Sequence, residues 1–110
     1  QNYKNKVLKA NDIATMSTGK RLGHPVRSIK NPYTKEYFKL EYSNISDEEL
    51  EAYGRGSLYR AAVEGDEKTG CFLAGQIAGM VNKEQTAKEI IEEIFTQAED
   101  VLKGATKWVK

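Results

Sequence analysis

Few side chains in this sequence are suited to act as nucleophiles, metal ligands or proton donors. His24 is the only histidine and Cys71 the only cysteine, and together they would make a nucleophile and its base if the fold joined them. Nothing in the residues around either one supports that pairing. We therefore interpret His24 as a loop residue and Cys71 as a small buried hydrophobe. One histidine and one distant cysteine do not complete a metal cluster, so the sequence predicts no metal site and no catalytic residue.

Two groups of adjacent carboxylates, Asp47–Glu49 and Glu92–Glu93, are candidates for paired acid–base chemistry. General acid–base catalysis uses positioned carboxyl groups, but the first group lies at a predicted helix start and the second on a solvated helix face. We assign both groups to helix stability. The basic segment Gly19–Arg21 lacks the other residues of a phosphate-binding loop, so either a solvated turn or an anion contact fits it.

The sequence GCFLAGQIAGMV, from Gly70 to Val81, is unusually rich in small residues. Read as a helix, it places Gly75 and Gly79 four residues apart on a strip with no side chain beyond a methyl group. Glycine lowers helix stability by roughly 1 kcal/mol per residue, so something must approach this backbone closely. Two interpretations stay open. Composition favours a tightly packed neighbouring element, and the alternative is a ligand that meets the helix N-terminus and the amide of Gln76.

Several helices and short strands are predicted around these residues. The hydrophobic pattern gives four or five helices and one or two strands, so the chain itself is expected to be mainly α-helical. A short helix is expected near the N-terminus. The loosely alternating segments 12–18 and 25–29 are the candidate strands. Asn31 as a cap and Pro32 at the first helical position predict a helix after the second strand.

Capping signals predict where two later helices begin. Ser46 and Glu49 form a capping box, and Asn82 and Gln85 resemble a second one. An amphipathic helix follows the second box and continues to Lys103. Its apolar face includes Ile90, Ile91, Ile94 and Phe95, with Trp108 expected as a packing anchor beyond it.

Composition restricts the class of protein. The 110 residues suffice for one small domain, or for a piece of a larger one, and 17 basic against 16 acidic residues give a net charge of +1. This balance gives no reason to expect nucleic acid or an anionic membrane as partner. No apolar run approaches the roughly 20 residues of a membrane span, and a single cysteine fits a reducing, cytoplasmic location. Because the chain opens with Gln in a polar segment, we expect it to be cut from a longer one.

Several segments carry a resemblance to a known family. The segments NYKNKVLKA, GHPVRSIKN, TKEYFKLE, VEGD, AGQIAGMVNKEQTAKEII and ATKWV, in this order, resemble the C-terminal third of FMN-dependent enoyl-acyl-carrier-protein reductase II, the FabK type. That group is similar to the nitronate monooxygenases. AGQ recurs across the flavin group at this place, and GHPVR favours the reductase branch. The alternatives are a fragment of a nitronate monooxygenase-type flavoenzyme and a stand-alone helical interaction domain without catalysis.

The resemblance implies an α/β parent, a (β/α)₈ barrel with a small inserted domain. Residues 1–12 would end a barrel segment, 13–69 would form the small lid or substrate domain, and 70–110 would return to the barrel and close it with a helix. Ala74, Gly75 and Gln76 would then lie near the flavin and contact it. The aromatic candidates for lining an acyl channel are Tyr33, Tyr37, Phe38, Tyr53 and Tyr59.

The implied reaction belongs to bacterial fatty acid synthesis. Hydride would pass from NADH or NADPH to FMN, and then to the β-carbon of a trans-2-enoyl thioester on acyl carrier protein. That carrier is acidic, so the candidate docking residues are Lys20, Arg21, Arg27 and Lys30. The chain alone is expected to be inactive, because most of the flavin site would lie outside it. The apolar face of its last helix predicts oligomerisation, for example as a homodimer.

Overall fold

The structure, a computed structural model, describes all residues from Gln1 to Lys110. The chain is mainly helical with one two-stranded sheet, as predicted. The helices are α1 (Asn2–Leu8), α2 (Pro32–Glu41), α3 (Asp47–Gly54), α4 (Ser57–Tyr59) and α5 (Ala87–Ala105), and the strands are β1 (Thr15–Thr18) and β2 (Val26–Ile29). Helix α4 continues as a π-helical turn, Arg60–Glu64, and two 3₁₀ helices span Gln76–Met80 and Thr106–Trp108. No helix is both long enough and apolar enough to cross a membrane.

Strands β1 and β2 form an antiparallel hairpin in which Thr15 pairs with Ile29 and Thr18 with Val26. The connecting turn begins at Gly19, whose φ of +82° lies in the left-handed region. A Cβ at this position would sit 2.5 Å from the carbonyl oxygen of His24. Glycine is therefore required here, both for the backbone conformation and for the close approach of the returning chain.

The segment from Gly70 to Gly75 is extended along β2, and the helix predicted over Gly70–Val81 is wrong for this part. The Ile29 N–H donates to the Phe72 carbonyl at 2.8 Å, and the Ala74 N–H donates to the Arg27 carbonyl at 3.2 Å. Because these backbone groups bond to β2, they are not available for helical hydrogen bonds. Only Gln76–Met80 turns helically, as a single 3₁₀ segment.

The core consists of two small clusters on either side of this extended segment. Cys71 and Phe72 are consecutive in an extended backbone, so their side chains point to opposite faces. Cys71 packs with Tyr33, Tyr37 and Leu50. Phe72 is fully buried in a second cluster that contains Ile29 and Ala61. The extended segment therefore joins α2 and α3 on one side to the π-helical turn and α1 on the other.

Helix α2 begins as predicted, with Asn31 as the cap and Pro32 at the first position. The Thr34 N–H donates to the Asn31 side chain at 2.9 Å, and the Asn31 N–H donates to the Thr34 hydroxyl at 2.9 Å. The Asn31 amide also donates to the Gly70 carbonyl at 2.7 Å. One buried asparagine therefore starts the helix and holds the beginning of the extended segment against it.

Helix α3 begins at the predicted capping box. The Ser46 N–H donates to the Glu49 carboxylate at 2.8 Å, and the Glu49 N–H donates to the Ser46 hydroxyl at 3.1 Å. The helix ends at Gly54, and Gly56 takes a left-handed conformation before α4 begins. The two glycines therefore interrupt the helical segment between α3 and α4.

Helix α5 begins later than predicted, because its capping box is Thr86 with Glu89 and not Asn82 with Gln85. The Glu89 carboxylate accepts hydrogen bonds at 2.7 Å from both the N–H and the hydroxyl of Thr86. Glu89 brings a negative charge that the Gln85 amide lacks, which strengthens these bonds and suits the positive end of the helix dipole. The helix passes through Gly104 without ending there.

Helix α5 projects from the rest of the chain, and the whole molecule measures 59 × 34 × 18 Å along its principal axes. None of its residues is buried. Only its first turn approaches the body, where Ile90 lines a shallow cavity with Val7 and Leu8 of α1. Trp108 is 80% exposed, so the prediction that it anchors packing within the chain is wrong.

Candidate functional site

The three predicted flavin-contact residues lie where the extended segment ends. Ala74 is half-buried, whereas Gly75 and Gln76 are exposed, and Gln76 is the first residue of the 3₁₀ helix. The preceding residue is held firmly, because the Tyr3 hydroxyl donates to the Leu73 carbonyl at 2.5 Å. The Tyr3 ring also packs on Phe72 with centroids 5.0 Å apart. The segment Ala74–Gln76 is thus a largely exposed turn that follows a residue, Leu73, whose backbone is held in place by Tyr3.

Gly75 and Gly79 have different surroundings, so they do not form the common strip predicted for a helix. A Cβ at Gly79 would lie 2.8 Å from backbone atoms of Asn11 and Asp12, which makes glycine necessary for packing. A Cβ at Gly75 would meet nothing closer than Ile77, at 3.9 Å. Packing within the chain therefore explains Gly79 and leaves Gly75 open to an approach from outside.

The polar groups of this turn fit the edge of a planar heterocycle such as a flavin. The Gln76 side-chain amide forms no hydrogen bond within the chain, and the N–H groups of Gly75 and Gln76 donate none. A flavin ring edge carries carbonyl oxygens and ring nitrogens that match such donors and an amide. Gly75 adds no side chain that would obstruct that approach.

A cavity of about 280 Å³ lies on the Cys71 side of the extended segment, whereas the Phe72 cluster lies on its other side. Tyr33 and Tyr37 of α2 line it together with His24, Cys71 and Leu58. Burial raises the pKa of Tyr33 to about 12, which the neighbouring Ser57 hydroxyl partly opposes. Tyr33 is therefore a neutral hydrogen-bond donor at any ordinary pH.

Only part of the predicted aromatic lining faces this cavity. Tyr53 stacks in parallel on Tyr33, with ring centroids 5.4 Å apart, and so supports the lining from behind. Phe38 packs instead on Tyr42, and Tyr59 is 58% exposed, so neither lines the cavity. Helical spacing alone placed Phe38 on the inner face, whereas α2 buries only the side that carries Tyr33 and Tyr37.

His24 and Cys71 line the same cavity, although their neighbours in the sequence did not predict that the two residues would lie close together. The turn between β1 and β2 carries His24, and the extended segment beside β2 carries Cys71. They form no hydrogen bond with each other. Burial raises the pKa of the Cys71 thiol, which disfavours the thiolate that nucleophilic attack requires. The interpretation of Cys71 as a small buried hydrophobe is confirmed.

The four basic residues predicted as a docking patch do not form one surface. Arg21 is engaged within the chain, because its guanidinium donates to Asp47 at 2.8 Å and to the Ile45 carbonyl at 2.6 Å. Arg27 is half-buried and donates to the Thr15 hydroxyl at 3.1 Å. Lys20 lies in the turn at one end of the hairpin, and Lys30 follows β2 at the other end.

The paired carboxylates have the structural roles predicted for them. Asp47 and Glu49 lie in the first turn of α3. On α5, Glu92 pairs with Lys88 at 3.7 Å and Glu93 with Lys83 at 2.8 Å. The structure contains no group of three or more histidine, cysteine, aspartate or glutamate residues placed to hold a metal ion.

Comparison with solved structures identifies clear relatives of this arrangement. FabK from Thermotoga maritima superposes with a TM-score of 0.92 at 34% identity, covering 98% of this chain and 34% of that chain. A methionine-to-alanine mutant of FabK from the same organism gives a TM-score of 0.80 at 30% identity, covering 98% of this chain and 31% of that one. No family model and no curated protein matches the chain.

The chain spans about a third of the length of the FabK structures that it matches. Both superpositions take in nearly all of its residues, including the extended segment and α5. The match is therefore to a contiguous architecture and not to one isolated motif. It confirms the resemblance of this chain to FabK-type proteins and is consistent with its placement in their C-terminal portion.

Proposed function

We propose that this chain is the C-terminal portion of an FMN-dependent enoyl-acyl-carrier-protein reductase. The observation that carries the proposal is the superposition on FabK at a TM-score of 0.92 over 98% of the chain. The parent would be a (β/α)₈ barrel with an inserted small domain. Residues 1–12 would end a barrel segment, 13–69 form the small domain, and 70–110 return to the barrel.

In this proposal the Ala74–Gln76 turn contacts one edge of the flavin. FMN, when bound, supplies the exchange of hydride between NADH or NADPH and the enoyl thioester. The residues of this chain would orient the ring: the Gln76 amide and the N–H of Gly75 by hydrogen bonds, and Gly75 by leaving room for close approach. The support is that these groups lack partners within the chain.

The tyrosine-lined cavity would take part of the acyl chain and keep water from it. Tyr33 and Tyr37 offer aromatic surface there, and Leu58 adds an aliphatic one. Excluding water from a hydride-transfer site prevents competing reactions and strengthens the polar interactions inside it. The Tyr33 hydroxyl stays protonated, so the cavity wall carries no negative charge.

Flavin binding tests this proposal most directly. We would measure quenching of FMN fluorescence by the 110-residue chain and by the full-length protein that contains it. The expected result is binding by the full-length protein and little or none by the chain, because most of the flavin site would lie outside it. NADH- or NADPH-dependent reduction of an enoyl thioester by the full-length protein is the matching activity. Absence of flavin binding from both proteins would contradict the proposal and favour a helical interaction domain.

A further inference from the structure

One face of the molecule carries far more positive charge than the whole chain does. Two adjoining concavities, with volumes of about 400 and 700 Å³, share Lys6, Lys30 and Glu67 in their linings. Together they are lined by six lysines, which we call the lysine surface: Lys6, Lys9, Lys30, Lys35, Lys39 and Lys68. Only two carboxylates, Glu36 and Glu67, lie among them. Positive charge is therefore concentrated on this surface, since the whole chain has a net charge of only +1.

Most of these ammonium groups have no partner within the chain. Lys6 pairs with Glu67 at 3.1 Å, and Lys39 lies 3.7 Å from Glu36. The other four lysines have no carboxylate within 4.0 Å. Lys9, Lys30, Lys35 and Lys68 are exposed, so their charges are available to a partner.

Backbone hydrogen bonds hold the segments that carry the lysine surface in place, and one exposed apolar side chain lies on it. The Lys30 N–H donates to the Ala14 carbonyl at 2.8 Å, and the Tyr33 N–H donates to the Lys68 carbonyl at 3.0 Å. These bonds hold the hairpin end and the turn before the extended segment against the start of α2. Ile13 lines the first concavity and is 69% exposed, which places an apolar side chain among the lysines. Interfaces commonly combine a few apolar contacts with a charged rim.

We propose that the lysine surface is the docking site for an acidic protein partner that presents a row of carboxylates. The identity of this partner rests on the proposed function, under which it is the acidic carrier that bears the thioester. Complementary charge across such an interface chiefly accelerates association and selects the partner. Of the basic residues predicted from the sequence for this purpose, only Lys30 belongs to the surface.

Two charge-reversal variants of the full-length protein that contains this chain test the proposal, one at the lysine surface and one as its control. Lys30→Glu with Lys35→Glu alters the lysine surface. Lys107→Glu with Lys110→Glu makes the same change of charge at the far end of the chain, beyond α5. Binding of fluorescently labelled acyl carrier protein would be followed by anisotropy at low ionic strength and at about 0.15 M salt, where charges are screened beyond about 8 Å.

The expected result is at least a roughly tenfold rise in the dissociation constant for the first variant and a change within about twofold for the second. Equal loss in both variants would show that only net charge matters and would overturn the proposal, as would the absence of saturable binding by the unmodified full-length protein. Reduction of a neutral, carrier-free enoyl thioester by the full-length protein tests the proposed function separately. Carrier binding without that activity would support the lysine surface and contradict the reductase.

Discussion

The Arg21 Nε donates a hydrogen bond to the Asp47 carboxylate at 2.8 Å, which joins the turn between the two strands to the first residue of α3. The same guanidinium donates to the backbone carbonyls of Ser43 and Ile45, and the Arg21 N–H donates to Glu41. One arginine therefore fixes the hairpin turn against the connection between α2 and α3. Because His24 lies in that turn, this contact also shapes the rim of the tyrosine-lined cavity.

Replacing Arg21 with alanine should lower the free energy of unfolding by about 1–2 kcal/mol. The two carbonyl contacts supply most of this effect, since Asp47 is exposed and an exposed ion pair contributes little. Urea denaturation of the two proteins measures the difference. Lys20→Ala is the matched control, because it removes an adjacent exposed side chain from the same turn. An equal loss in both variants would show that the guanidinium contacts do not stabilise the turn.

The two glycines of AGQIAG should respond in opposite ways to alanine. Gly79→Ala should destabilise the fold by about 1–3 kcal/mol, because the new methyl group would press on the backbone at Asn11 and Asp12. Gly75→Ala should leave stability nearly unchanged, because its φ of −77° suits alanine and nothing lies within 3.4 Å of the new methyl group.

Thermal or urea unfolding of the chain compares the two variants, and FMN titration of the full-length protein adds the functional readout. We expect Gly75→Ala to weaken flavin binding without loss of stability. Unchanged flavin affinity in that variant would argue against placing the Ala74–Gln76 turn on the flavin.

Alkaline pH should destabilise the fold through Tyr33. Its pKa rises from 10.0 in the unfolded chain to about 12 in the folded chain. Between these values the folded state keeps a proton that the unfolded state has lost, so the contribution of Tyr33 to stability is complete below pH 10 and falls as pH rises toward 12. Urea denaturation at several pH values in this range should show a shallower decline for Tyr33→Phe than for the unmodified chain. Parallel curves would contradict the assignment.

The apolar face of α5 should make the isolated chain self-associate. Ile91, Ile94 and Phe95 are each more than half exposed along this face, and a contiguous apolar surface of this kind seeks a partner. Sedimentation velocity should show concentration-dependent association that Phe95→Glu abolishes. Thr96→Glu, which adds the same charge one residue further along the helix, should leave association intact. A monomeric unmodified chain would exclude this behaviour.

Local signals predicted elements correctly where they decide the structure by themselves. The Ser46 and Glu49 box, the Asn31–Pro32 start and the alternating strand residues each act within a few positions, and the helices and strands begin there. The resemblance of the whole chain to FabK-type proteins was also evident from ordered motifs spread along it.

Predictions failed where distant residues compete with local ones. The segment 70–75 has the composition of a packed helix, yet its backbone bonds to β2, which lies some forty residues earlier in the sequence. Pairing of this kind has no local signature. For the same reason the cavity shared by His24 and Cys71 was not foreseen, since it exists only once the extended segment lies beside the hairpin.

The way α5 projects from the body also determines how the chain melts. The two clusters around Cys71 and Phe72 bury side chains from several elements and should unfold together. Helix α5 contributes no buried residue, so its melting is a gradual helix–coil transition governed by its own length and caps. A monomeric chain therefore has no single transition temperature: ellipticity at 222 nm falls before the near-ultraviolet signal of the buried tyrosines does, and calorimetry shows a sharp peak only for the second event.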